Sequence, residues 1–237
     1  MPSLNGAVVL VTGANGGIGT HFVREALARG AAKVYATARN PRDWHDERIV
    51  PLALDITDPA SIRAAVAAAP DVTVLVNNAG ASVSSAGILT HTDEEIRTNV
   101  ETNFLGPLFL ARAFAPILSS REESVIIDIH SLLSWYAVAG IYSATKAALW
   151  SATNSLRLEL APAGVHVVGV HVGYVDTPMA AHAAGPKTQP ADLVRTVFAA
   201  VEAGAYEVLA DEASAQVKAG LSAPVEVLYP QLAATDG

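Results

Sequence analysis

The sequence predicts a single α/β domain, doubly wound, with a mostly parallel seven-stranded sheet flanked by helices on both faces. Three observations predict it. Short β-rich runs alternate with helical patterns along the chain, which implies right-handed strand–helix–strand units. Two of those runs, Val8-Val9-Leu10-Val11 and Val74-Leu75-Val76, are continuously apolar, as strands covered on both faces must be. A glycine cluster lies between the first strand and the first helix, at the carboxyl edge where such sheets hold ligands.

Each element has its own signal. Residues 7–11 read as the first strand. Ile18, Phe22, Ala26 and Leu27 then recur near helical spacing over residues 17–29, and Gly30 stops the helix. Strands follow at 33–37 and 50–54. Asp58-Pro59 supplies an N-cap acid with proline in the first helical position, and that helix ends by Pro70. The next strand is 72–76. Thr92 with Glu95 forms a capping-box pattern that opens another helix. Further helix is expected over about 103–118, a strand over 125–129, a helix over 142–160 and a strand over 165–171. A helix at 190–203, a short strand at 207–209 and a last helix at 211–221 complete the pattern. No linker, repeat or low-complexity tract divides the chain, so one domain over 1–237 is the economical reading.

Composition narrows the function classes. The chain has 237 residues, 51% hydrophobic, which is ample for a substantial core. Its net charge of −8 and the absence of a basic block argue against nucleic-acid binding. It has no cysteine, which excludes disulfides, thiolate catalysis and cysteine-based metal sites. No segment approaches the ~20 apolar residues of a membrane span, and the amino terminus lacks a secretory pattern, so a cytoplasmic protein is expected. The seven histidines show no ligand-like spacing, so no metal is expected. No Gly-x-Ser-x-Gly elbow supports a hydrolase.

The glycine cluster reads Thr12-Gly13-Ala14-Asn15-Gly16-Gly17-Ile18-Gly19. Gly13 can make the turn out of the strand, Gly17 lets a pyrophosphate approach the backbone, and Gly19 permits close helix–strand packing. The helix N-terminus then offers free N–H groups and partial positive charge to phosphates. This is the pattern of a Rossmann-type dinucleotide site. The second strand ends in Thr37-Ala38-Arg39, with no carboxylate for a ribose 2′-hydroxyl and a guanidinium able to clasp a 2′-phosphate. NADP(H) is therefore the expected cofactor. Asp55, followed by Ile56, ends the third strand and is placed to reach the adenine; the plain alternative is a helix-capping neighbour.

Tyr142 and Lys146, in Tyr142-Ser143-Ala144-Thr145-Lys146, share one helical face. A tyrosine titrates near ~10 and is a poor base at neutral pH; a nearby ammonium is expected to lower that value. Ser131 follows the fifth strand, where its hydroxyl could donate to a substrate oxygen. Asn103 lies at a possible break between two helical stretches, where a distorted helix could free a carbonyl for water. Asn77-Asn78-Ala79-Gly80 follows the fourth strand, and Gly173-Tyr174-Val175-Asp176-Thr177 the sixth. All fall on one edge of the predicted sheet.

With these motifs in this order, the chain resembles a classical short-chain dehydrogenase/reductase over essentially its whole length. The resemblance implies Tyr142 as general acid/base and Lys146 as its electrostatic partner and ribose ligand. It implies that Ser131 orients a carbonyl, that Asn103 anchors a relay water, and that Val175 backbone and the Thr177 hydroxyl hold the carboxamide. It also implies transfer of the pro-S hydride, and a homodimer or homotetramer built on the helices containing Asn103 and Tyr142. The Ala38-Arg39 pair is similar to that of NADP-preferring members.

The chain departs from the family pattern in four places. Asp128-Ile129-His130-Ser131 replaces Asn-Ile-Ser-Ser. The Ser131–Tyr142 interval is two residues shorter than usual, which leaves either Ser131 or Ser134 to face the carbonyl. Val172 replaces a proline. Asn15-Gly16 lacks the basic residue of many NADP-binding loops. The expected activity is NADP(H)-dependent interconversion of a ketone and a secondary alcohol. A nucleotide-sugar epimerase or dehydratase shares the Tyr/Lys pair but usually carries a larger carboxyl-terminal part. A non-catalytic NADP-binding regulator is disfavoured by the intact polar set. Residues 178–189, rich in alanine, are expected to form a lid suited to a fairly apolar substrate. Trp135, Tyr136 and Trp150 are expected to pack or contact another subunit, the first two bordering the pocket.

Overall fold

Apolar strands and amphipathic helices assemble as the alternation requires. The computed structural model describes residues 2–82 and 87–235; residues 1, 83–86, 236 and 237, which the one-domain expectation over 1–237 includes, lie outside them. The strands are β1 (Val8–Thr12), β2 (Lys33–Ala38), β3 (Ile49–Ala53), β4 (Val74–Asn77), β5 (Ser124–Ile129), β6 (Val165–His171) and β7 (Glu207–Leu209). They form one seven-stranded sheet in the order β3-β2-β1-β4-β5-β6-β7, and every pairing among them is parallel. The order reverses between β1 and β4. A crevice opens at such a switch point, beyond the carboxyl ends of the strands.

The helices are α1 (Gly17–Ala28), α2 (Pro59–Ala68), α3 (Asp93–Val100), α4 (Gly106–Leu118), α5 (Gly140–Leu160), α6 (Pro190–Glu202), α7 (Glu212–Ala219) and α8 (Val225–Leu228). Strand side chains alternate between two cores. Val9, Val11, Val34, Ile127 and Val168 pack with Phe22 of α1 and Phe198 of α6, whose rings meet edge to face at 5.3 Å. Leu10, Leu75, Ile126 and Val167 pack with Ile62 of α2, Leu110 and Phe114 of α4, and Leu156 of α5. Each such fully buried side chain contributes roughly 1.5–3 kcal/mol. Among the described residues, no helix is long and apolar enough to cross a membrane.

The capping signals are realised. The Asp58 carboxylate accepts from Ala60 N at 2.8 Å, and both bonds of the Thr92/Glu95 capping box are made. Two stretches differ from the sequence reading. Helix begins before residue 103: a π turn over Glu101–Leu105 joins α3 to α4. It delivers Gly106 against Ile56, where a Cβ would lie 2.8 Å from the isoleucine Cδ1. The helix expected at 211–221 is not the last, because α8 follows it. The Tyr229 ring, just beyond α8, stacks on Tyr136 at 5.3 Å. Its hydroxyl accepts from Ala137 N at 3.0 Å. These are tertiary contacts, invisible to local periodicity.

Candidate active site

The end of β1 is clamped to the end of β4. The Thr12 hydroxyl accepts from the amides of Asn78 and Ala79, both at 2.9 Å, and donates to Val76 O. Asn78 Nδ2 donates to Thr12 O at 2.8 Å. The sequence marked neither Thr12 nor Asn78 as a support, although both stand inside the motifs it singled out. Gly13 then turns with φ +67°. A Cβ on Gly19 would fall 2.2 Å from Gly13 O, so α1 can approach the turn only with glycine there. Gly16 caps α1 with no side-chain hydrogen bond, and the first turn carries no acid. The N–H groups of Gly17, Ile18 and Gly19 therefore keep their attraction for an anion.

Asn15 ties this loop to the segment after β2. Its Nδ2 donates to Asn40 O at 2.6 Å and its Oδ1 accepts from Arg42 N at 3.2 Å. Arg39 stands exposed directly after β2. Arg42, which the sequence reading did not single out, lies 4.0 Å over the Trp44 ring and reaches the Thr20 hydroxyl at 3.4 Å. This cradle of glycine backbone, uncapped helix and two guanidinium groups fits a dinucleotide with an extra phosphate. Asp55 has one oxygen engaged: Oδ1 accepts from the amide and hydroxyl of Thr57. Those bonds, and then the Arg39 charge, hold its carboxyl below the ordinary value.

A second cluster forms where β5, α5 and the π turn meet. The Ser131 side chain stands near enough to the Tyr142 phenol to oppose the effect of burial on it, while its hydroxyl accepts from Leu133 N at 3.2 Å and reaches Val172 O at 3.4 Å. The Ser134 hydroxyl caps the Ser131 amide; of the two serines, Ser131 is the one that acts on the Tyr142 phenol. Lys146 is buried, donates to Ile129 O at 2.8 Å and lies 5.8 Å from the Tyr142 ring centre. Burial pushes the Tyr142 phenol up to about 12. The sequence expected the opposite direction. Desolvation outweighs the opposing effect of Ser131, and the lysine is aimed at a strand carbonyl rather than at the phenol. Burial also pushes Lys146 down to about 8, with Asp128 opposing.

Asn103 sits in the π turn with its side chain committed to Ala81: Oδ1 accepts from Ala81 N at 2.9 Å and Nδ2 donates to Ala81 O at 2.8 Å. A Cβ on Gly80 would come within 3.3 Å of Asn103 Oδ1 and 3.8 Å of Lys146 Nζ. Thus Gly80, Asn103 and Lys146 converge.

Other expected ligands are placed less directly. The Asn77 side chain is buried and donates to Asp128 Oδ1 at 2.8 Å, inside the protein rather than into the crevice. The Gly173 amide donates to Asp211 Oδ2 at 2.6 Å. Val175 is buried and forms a bridge with Thr188. Thr177 lies beside the glycine loop, with its methyl carbon 3.6 Å from where a Gly17 Cβ would stand. Residues 178–189 leave and return through a closed neck. Asp176 N donates to Thr188 O at 2.9 Å and Thr188 N to Tyr174 O at 2.8 Å.

Comparison with known proteins agrees with this geometry. The family model described as short chain dehydrogenase matches residues 7–187. The NADP complex of a short chain dehydrogenase from Burkholderia cenocepacia superposes with a TM-score of 0.90 at 36% identity, covering 97% of this chain and 99% of that one. The NADP-dependent 3-hydroxy acid dehydrogenase of Salmonella typhi is 33% identical over 71% of this chain and 72% of its own. The 3-oxoacyl-[acyl-carrier-protein] reductase of Salmonella typhimurium is 34% identical over 75% of this chain and 77% of its own. The chain belongs to the short-chain dehydrogenase family.

Proposed function

We propose that the chain is an NADP(H)-dependent oxidoreductase that interconverts a ketone and a secondary alcohol, with Tyr142 as its general acid/base. The observation that carries the reading is the Tyr142–Ser131 hydroxyl pair, with the Lys146 ammonium close to the same ring. NADP(H), when bound, supplies or accepts the hydride. The glycine loop, the α1 N-terminus and Arg39 hold its phosphates; Asp55 and Ile56 flank the adenine; Asn77, Ala79 and Gly80, then Gly173, Val175 and Thr177, border the remainder. The printed activities of the relatives, acting on 3-hydroxy acids or 3-oxoacyl groups with NADP, support this class.

In reduction, Ser131 and Tyr142 donate to the substrate oxygen, stabilising the charge that develops there, and Tyr142 gives up its proton. A phenol held near 12 is a secure proton donor at neutral pH. Lys146 stabilises the phenolate left behind. Asn103, which converges with Gly80 and Lys146, would anchor the relay water that resupplies the proton. The lid, residues 178–189, exposes Met179, and Tyr174 stands exposed at its neck; these surfaces favour a fairly apolar substrate. Exposed Phe109 on α4 and Leu158 on α5 support a homodimer or homotetramer.

The direct test is Tyr142→Phe. Ketone-dependent NADPH oxidation should fall by about three orders of magnitude while NADPH binding by fluorescence titration is retained. Near-normal turnover in this variant would overturn the assignment.

A further inference from the structure

Beneath Ser131 lies a buried polar chain that the reaction described above does not use. Asp128 Oδ1 accepts from Asn77 Nδ2 at 2.8 Å, and its Oδ2 lies 2.7 Å from the Thr153 hydroxyl. That hydroxyl is 2.9 Å from His130 Nε2. His130 Nδ1 is 3.2 Å from His171 Nε2, and His171 Nδ1 is 3.1 Å from the Ser131 carbonyl oxygen. Asp128, Thr153, His130 and His171 are all buried. The site is shaped for these rings. Trp135 stacks flat on His171 at 3.7 Å. A Cβ on Gly169 would lie 2.7 Å from His130 Cε1.

With both imidazoles neutral, proton counting from the fixed end gives one arrangement that makes every contact in the chain. A carbonyl only accepts, so His171 Nδ1 carries a proton. Burial holds the His171 imidazole down at about 4, hence neutral, so its Nε2 is bare. His130 Nδ1 must then donate to it. Burial keeps His130 neutral too, so its Nε2 accepts from Thr153. The Leu149 carbonyl, 2.8 Å from the same hydroxyl, shares that proton as the ordinary acceptor one turn back. Thr153 has no second proton for Asp128, so the carboxyl must carry its own. Burial raises the Asp128 pKa, in agreement.

We infer that Asp128, Thr153, His130 and His171 form one neutral, one-way hydrogen-bond chain whose last donor fixes the Ser131 carbonyl, making His171 a positioning residue for the Ser131 hydroxyl. The reversed chain has the same number of protons, with Asp128 ionised and His171 an imidazolium. That form separates two charges in the core, which is costly. The charged groups around the chain also disfavour the imidazolium. Lys146 and Arg157 face it from α5 and Lys218 from α7. Glu207 of β7, 3.7 Å from His171, is paired with Lys218.

The first test needs no turnover. In histidine-labelled protein, nitrogen NMR reads the tautomer of each ring, with His130→Asn and His171→Asn assigning the signals. Both rings should be Nδ1–H tautomers at neutral pH and stay so down to about pH 5, well below the ordinary midpoint near 6.5. An Nε2–H tautomer at either ring, or an imidazolium formed near the ordinary midpoint, would overturn the chain.

The kinetic arm rests on the proposed role of Ser131. His171→Asn, whose amide replaces Nδ1–H, should keep kcat within about three-fold, whereas His171→Gln and His171→Phe should lose about 10- to 100-fold in kcat with little change in KM for NADPH. Equal kcat in all three variants would overturn the positioning role. Expected tautomers in a wild-type protein that turns over no ketone would sink the proposed function and leave the chain standing.

Discussion

At Tyr142 and Lys146 the chain makes its sharpest chemical commitment, and the two groups are shifted in opposite directions by one cause. Burial raises the phenol to about 12 and lowers the ammonium to about 8. Reduction needs the phenol protonated and the lysine charged. The phenol keeps its proton throughout the ordinary range, so Lys146 sets the alkaline limit. We expect kcat/KM for ketone reduction to fall as pH rises through about 8, and Lys146→Arg, whose charge does not titrate there, to keep low activity without that limb. A limb that persists unchanged in the variant would assign it to another group. The identity of this pair was legible in the sequence because its spacing is local. The direction of the tyrosine shift was not. It depends on how deep the hydroxyl lies and on Lys146 turning to Ile129 O, both set by residues distant in the chain.

Element by element, what the sequence disclosed is what local chemistry encodes. Asp58-Pro59 and Thr92/Glu95 announced two helix starts because a cap is made within one turn. The helix distortion expected at Asn103 is present as a π turn packed on Ile56, whereas the short helix α8 was missed, since it answers to a stack between Tyr136 and Tyr229. The glycine loop permits a contrast within one element. Gly19→Ala forces a Cβ to 2.2 Å from Gly13 O, whereas at Gly16 the backbone is extended and no atom lies within 4 Å. Thermal unfolding without cofactor should show Gly19→Ala destabilised by about 1–3 kcal/mol. Gly16→Ala should stay within about 0.5 kcal/mol of wild type; equal losses would mean the close approach is not what glycine serves. At α8, Tyr229→Ala removes a stack and a hydrogen bond that brace the residues following Ser131. The expected loss is about 1–2 kcal/mol of stability, with KM for the ketone rising more than KM for NADPH. An unchanged KM ratio would separate α8 from the substrate pocket.

For the molecule as a whole, alternation of apolar strands with helices was enough to give a parallel sheet. The glycine loop marked the strand beside which its order reverses. Which surface meets another copy was reached in the sequence only through the resemblance, which implies the helices containing Asn103 and Tyr142, and not from composition or periodicity. The structure offers a physical criterion. Leu158 on α5 is 78% exposed and Phe109 on α4 is 37% exposed, both on helices that cover the sheet face holding Leu10 and Ile126. A two-fold axis across such a surface brings each patch against its own copy, so one substitution acts twice. Leu158→Glu would then set two like charges together in a desolvated contact, which costs several kcal/mol, while in an isolated protomer it is a change on an open surface. Light scattering across a concentration series should therefore show wild type as a dimer or tetramer and Leu158→Glu shifted towards monomer, with the unfolding midpoint of the monomeric variant falling as subunit stabilisation is lost. Because Tyr142 stands on α5, turnover per chain should fall with dissociation and recover with protein concentration. A wild-type chain that scatters as a monomer at every concentration, or a variant that assembles like wild type, would remove the α4/α5 face from the assembly.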